Sequence, residues 1–147
     1  MRLPILRLLS FMLLLAPALP EAARAEPPGV LAGSLSYPSD FIPPDMAICA
    51  ENLVTRQRYC TRRHLKGAQY TYKAGYRLEV PPGDYVVYAY LPDPGKYGAT
   101  YPPDYRAYYS EFVKCGMRAE CPSHAPIVVK VRSCASLQGI DPQDWYR

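Results

Sequence analysis

Proline restricts this chain more than any other residue. Seventeen prolines are spread along 147 residues, most of them beyond residue 25. Each removes a backbone donor and breaks a helix interior, so long helices are excluded and short extended segments between turns remain. Residues 29–37 alternate apolar with small side chains and stop at Pro38-Ser39-Asp40. Residues 46–52 follow Ile42-Pro43-Pro44-Asp45, and residues 58–62 return from them as a hairpin. Residues 67–80 alternate again, with Tyr70, Tyr72, Tyr76, Leu78 and Val80 on one parity and an interruption near Lys73-Ala74-Gly75. Pro81-Pro82-Gly83-Asp84 predicts a type II turn with proline and glycine at its centre. Residues 85–91, aromatic and β-branched with no turn former, give the strongest strand. Residues 92–110 form a long Tyr/Pro/Gly insertion, with a helical turn predicted around 107–113 and a last strand at 126–132. About seven short strands between turn signals predict an all-β fold, an antiparallel β-sandwich.

The first twenty-five residues read as a removable export signal: Arg2 and Arg7, an apolar run over 8–15, and the small-x-small end Ala23-Arg24-Ala25. The remaining residues, 26–147, are enough for one sandwich domain with one core. Setting aside Arg2, Arg7, Arg24 and Glu21 lowers the formal charge from +4 to about +2, most of it concentrated around residues 56–66. A balance that small gives no electrostatic footprint for nucleic acid. No later apolar stretch approaches the roughly 18–20 residues of a membrane span. No cysteine stands near the predicted cleavage point to carry a lipid. The expected location is periplasmic or secreted.

All five cysteines lie beyond the signal. In an oxidising compartment they are expected as disulfides, and two bridges among five cysteines allow fifteen arrangements. Spacing narrows these. A hairpin turning at Val54-Thr55 sets Cys49 directly opposite Cys60, close enough to bridge across a non-hydrogen-bonded pair. Cys115 and Cys121 enclose a short loop with Gly116 free to take positive φ. The expected bridges are Cys49–Cys60 and Cys115–Cys121. Cys134 is then left over, either buried and unpaired or available for a disulfide-linked dimer. A zinc site on Cys115, Cys121 and His124 is the competing reading, but its spacing fits no common ligand pattern and lacks a fourth ligand. No cofactor is implied.

Residues 33–90 resemble the carboxypeptidase regulatory-like domain, a prealbumin/transthyretin-like β-sandwich of the carbohydrate-binding-like fold group. The likeness is carried by Gly33-Ser34-Leu35, Ala47-Ile48-Cys49-Ala50, and above all Tyr76-Arg77-Leu78-Glu79-Val80-Pro81-Pro82-Gly83-Asp84-Tyr85-Val86-Val87. That last run is similar to the family pattern Y-x-L-x-x-L-P-P-G-x-Y-x-V, with Val80 near the usual leucine position. Ser36-Tyr37-Pro38-Ser39, Tyr109-Ser110-Glu111-Phe112 and Asp141-Pro142-Gln143-Asp144-Trp145-Tyr146 resemble uncharacterised bacterial secreted proteins of the same kind. The resemblance implies a non-catalytic accessory domain.

Five tyrosines, Tyr97, Tyr101, Tyr105, Tyr108 and Tyr109, fall within thirteen residues of the insertion. A tyrosine ring offers a flat apolar face and a hydroxyl, which suits a sugar or a protein partner. The same rings also serve to glue a loop onto a sheet. Trp145, beside Tyr146, either extends that platform or plugs the end of the sandwich. The basic run Arg62-Arg63-His64-Leu65-Lys66 is a solvated loop or a contact for an anionic glycan or lipid headgroup. His124 is expected to be a structural hydrogen-bonding residue. No nucleophile elbow, metal-binding histidine pair or phosphate loop appears. The sequence therefore points to an exported, non-enzymatic interaction module for an envelope protein or a glycan, with a carbohydrate-binding domain as the alternative and a small hydrolase behind both.

Overall fold

The computed structural model describes residues 25–146; the predicted export signal lies, except for Ala25, outside them. Among the described residues nine strands run in chain order: β1 (Gly29–Ser34), β2 (Ala47–Asn52), β3 (Arg58–Thr61), β4 (Leu65–Lys66), β5 (Ala74–Val80), β6 (Gly83–Tyr90), β7 (Ala107–Tyr108), β8 (Val129–Val131) and β9 (Ser136–Leu137). A 3-10 turn, Pro94–Tyr97, and one short helix, α1 (Glu111–Cys115), interrupt them. The strands form two sheets, one ordered β4-β5-β1-β9 and the other β3-β2-β6-β7 with β8 also on β6. The chain is all-β, with more and shorter strands than expected.

Period-2 patterning explains how the sheets face each other. Leu31 pairs with Leu78 across β1 and β5. Ile48 pairs with Ala89 and Ala50 with Val87 across β2 and β6. All six are buried in the core, together with Tyr76, Tyr85 and Val129. The β5–β6 corner carries the chain from one sheet to the other.

Four local expectations change. Gly83 does not sit in a type II turn: positive φ occurs at Gly98, Gly116 and Gly139, and Gly83 opens β6 opposite Val131. A Cβ there would lie 2.6 Å from Asn52 Nδ2, so a larger residue would have to displace that side-chain amide. The parity of residues 67–80 breaks at Lys73, whose φ of 56° ends a turn; Tyr76, Leu78 and Val80 go inward while Tyr72 stays 59% exposed. The helical turn starts later than predicted, at Glu111, because Ala107–Tyr108 pairs with β6. Ser110 caps the helix, its hydroxyl accepting from Val113 N at 3.5 Å.

The fourth change concerns the tail. β9 pairs parallel to β1, so the sandwich is not wholly antiparallel. Beyond β9 the chain keeps tracking β1: Ile140 N donates to Ala32 O at 3.1 Å, Ser34 N to Asp141 Oδ1 at 2.6 Å, and Gln143 Nε2 to Ser34 O at 3.1 Å. Asp144 then bridges to Tyr108 of the other sheet. An open strand edge is thereby covered. Tyr76 fixes the same seam, its buried hydroxyl donating to Ile140 O at 2.7 Å.

Both expected disulfides are present. Cys49 faces Cys60 in the predicted register with a Cα–Cα distance of 4.1 Å, the close approach of a narrow antiparallel pair. Cys115 and Cys121 are bonded to each other, so neither offers a thiolate and the zinc reading on them and His124 falls. Gly116, at φ 98°, caps α1 inside that loop. Cys134 is unpaired and exposed rather than buried. Two disulfides fit an oxidising, non-cytoplasmic compartment. Among the described residues no helix is long and apolar enough to cross a membrane.

Candidate functional site

The tyrosine-rich insertion uses most of its rings on the protein itself. Tyr101 and Tyr105 stack with centroids 4.7 Å apart. Tyr105 lies nearly parallel to Trp145 at 6.3 Å, and Tyr37 meets Trp145 edge-on at 5.2 Å. Trp145 is 4% exposed, and its indole donates to Ser36 O at 2.8 Å. It is part of the buried core. Burial raises the hydroxyl pKa values of Tyr37 and Tyr101. Tyr108 packs on Tyr88 at 5.5 Å, and Tyr109 is buried. Tyr97 donates to Asp45, and Lys96 pairs with the same carboxylate at 3.2 Å. The Tyr97 hydrogen bond and then Lys96 hold the Asp45 pKa below the usual carboxylate range. A hollow of about 290 Å³ remains beside this loop, between Tyr37, Ser39 and the run from Tyr97 to Tyr101.

The larger opening lies next to it, with Tyr37 and Ser39 lining both. This cleft, of about 900 Å³, is walled on one side by Ser36, Tyr37, Ser39–Ile42 and Pro44 and on the other by Arg62, His64, Lys66 and the turn from Thr71 to Ala74. Met117, from the Cys115–Cys121 loop, and Tyr146, from the tail, close its ends. Phe41, Tyr72 and Tyr146 are 51%, 59% and 59% exposed, and they are the only exposed aromatic side chains among the described residues. Nothing local to Phe41 or Tyr72 marks it as a binding residue, since each is a lone ring near a turn, and Tyr146 stood out only as the neighbour of Trp145.

The positive charge of residues 56–66 divides in two. Arg56 Nη2 and Arg58 Nε hold the nearly buried Glu51 carboxylate at 2.7 and 3.0 Å. Arg62 and Lys66 instead face the cleft beside Lys73, and none of the three has an ion-pair partner among the described residues. Asp40 is the one acidic residue in the lining. His64 is fixed by donating Nε2–H to Met46 O at 2.8 Å.

Ser110, Asp144 and His124 meet in space, which their sequence positions did not announce. Asp144 is fully buried; it accepts from Ser110 Oγ at 2.6 Å and from His124 Nδ1 at 2.9 Å. His124 stacks on Phe112 at 4.3 Å. In a hydrolytic triad the histidine takes the serine proton, with the carboxylate behind it. Here the carboxylate stands between serine and histidine, and the serine is 0% exposed. This geometry anchors the tail to α1, the structural role expected of His124. Among the described residues no group of three His, Cys, Asp or Glu side chains is placed to hold a metal ion.

Comparison with protein-family models, curated proteins and solved structures finds no match for this chain.

Proposed function

We propose that this protein is an exported, non-enzymatic β-sandwich module of the bacterial envelope, of the transthyretin-like, carboxypeptidase regulatory-like type, and that it works by binding. The single observation that carries this reading is the preformed cleft, where three exposed rings and three unpaired cations converge. Exposed apolar rings cost solvation unless something covers them, and loops on a rigid sandwich are a usual place for binding. The family reading is supported by two facing sheets and by the motif residues 76–87, which form the inter-sheet corner. A second reading, sugar binding at the tyrosine-rich loop itself, has the smaller hollow beside Tyr97 and Tyr101 in its favour.

Co-sedimentation of the purified protein with isolated envelope fractions tests the reading. Wild-type protein is expected in the pellet, and a Phe41→Ala/Tyr72→Ala variant in the supernatant. Equal sedimentation of both would remove the cleft from the proposal, and loss on Tyr101→Ala with a folded protein would favour the loop. Turnover of an envelope substrate abolished by His124→Ala would make the protein an enzyme.

A further inference from the structure

We propose that the cleft takes a carboxylated saccharide, a sugar chain bearing uronate-type acid groups. This rests on the cleft being the ligand site. The inference comes from the pairing of two kinds of side chain. Arg62, Lys66 and Lys73 bring three positive charges into the lining against one negative, Asp40. Elsewhere Arg56, Arg58, Arg77, Lys96 and Lys130 each have a carboxylate partner, and the cations outside the cleft without one among the described residues, such as Arg63, Arg106 and Arg132, do not line it. Unpaired like charges gathered around a concave surface raise the local concentration of anions and speed their arrival. A neutral ligand would leave that charge unused.

The rings select among anions. Phe41, Tyr72 and Tyr146 are each more than half exposed in the same cleft, with Phe41 also meeting Tyr97 at 6.0 Å and Tyr146 meeting Phe112 at 6.3 Å at a tilt. A pyranose offers an apolar C–H face to such a ring, while its acid group lies at the rim of the same unit. An acidic peptide carries charge but no flat face on each residue. The hydroxyl-bearing Ser36 and Ser39 line the same wall and suit a ligand rich in hydroxyls. The turn that places Tyr72 and Lys73 is also strained. Lys73 holds φ 56°, a left-handed conformation that favours glycine and is costly for a residue with a side chain. Gly67 N donating to Lys73 O at 3.2 Å and Lys73 N donating to Tyr70 O at 3.0 Å keep it there. Strain of this kind persists where surrounding structure enforces it, and it gathers at ligand sites.

Titration calorimetry on the protein with both disulfides intact is the test, using three probes: an oligogalacturonate, a neutral oligosaccharide of equal length, and a poly-glutamate of equal charge. The oligogalacturonate is expected to bind at least about tenfold more tightly than the neutral chain, and salt is expected to weaken it. Lys66→Glu or Lys73→Glu should reduce that affinity about tenfold. Tyr72→Ala should reduce it about fivefold while leaving poly-glutamate binding unchanged. Val54→Ala, at an 84% exposed position outside the cleft, should alter neither. Neutral and acidic sugars binding equally would overturn the charge argument. Poly-glutamate binding as tightly as the uronate would give the cleft to an acidic peptide instead. If no probe binds while envelope sedimentation persists, this proposal fails and the module reading stands; if sedimentation fails too, both fall.

Discussion

In the insertion, Tyr101 and Tyr105 lie face to face at 4.7 Å and lean on a tryptophan that is 4% exposed. On the other side of Tyr37, in the cleft, Phe41, Tyr72 and Tyr146 leave half or more of their surfaces open. The cations divide in the same way, with Arg56 and Arg58 closed on Glu51 and Arg62 and Lys66 open beside Lys73. The difference teaches that density of a residue type marks a site poorly. A ring or charge closed in by the rest of the protein contributes to stability; one left open to solvent is available to a ligand.

The sharpest way to break this comparison is to truncate one ring from each region. Trp145→Ala empties a filled part of the core and is expected to cost about 3–5 kcal/mol in denaturant unfolding. Tyr72→Ala is expected to stay within about 0.5 kcal/mol of wild type, since it removes only exposed surface. Similar losses for both would erase the distinction.

Next in size, Cys49→Ala/Cys60→Ala is expected to lower stability by about 2–3 kcal/mol on the chain-entropy model, measured the same way. The Cys115–Cys121 bridge carries Met117 beside the cleft. Its removal should change ligand affinity as well as stability, whereas the first pair should leave affinity unchanged in folded protein.

Two aspartates sharpen the contrast through pH. Asp45, held below its ordinary pKa first by Tyr97 and also by Lys96, contributes stability that is present above the usual carboxylate range and lost as pH falls through its folded value. Asp141 is shifted the other way, raised by burial against the lowering effect of the Ser34 N–H. Its ionisation costs stability as pH rises from the usual range through its raised folded value. Asp45→Asn should flatten the acid limb of a melting-temperature profile. Asp141→Asn should raise the melting temperature on the neutral side, because an amide keeps the acceptor for Ser34 without a buried charge. Opposite outcomes for the pair would show that these environments are misassigned.

The smallest effect concerns the surface pair Arg77–Glu79, where both side chains are more than half exposed. Arg77→Ala is expected to leave both stability and binding within measurement error.

Much of the fold was legible because its signals are local. Alternation in residues 85–91 placed β6, and the spacing of Cys49 and Cys60 placed the hairpin register to the residue. The positive φ of Gly116 and the short Cys115–Cys121 loop were readable for the same reason, though the role of Gly116 as the cap of α1 was not. The tail was not. Its turn formers gave no sign that Ile140, Asp141 and Gln143 would follow β1, since those partners lie about a hundred residues away. Gly83 misled because proline–glycine is a turn signal, and only tertiary structure brings Asn52 against it.

By itself the sequence determined an all-β chain with two short-range disulfides, because proline placement, period-2 alternation and cysteine spacing act over a few residues. Which tyrosines are spent on packing, which arginines are neutralised, and where Asp144 finds Ser110 and His124 were decided only by tertiary structure. Exposure depends on what the rest of the chain brings alongside, and no local pattern carries that information.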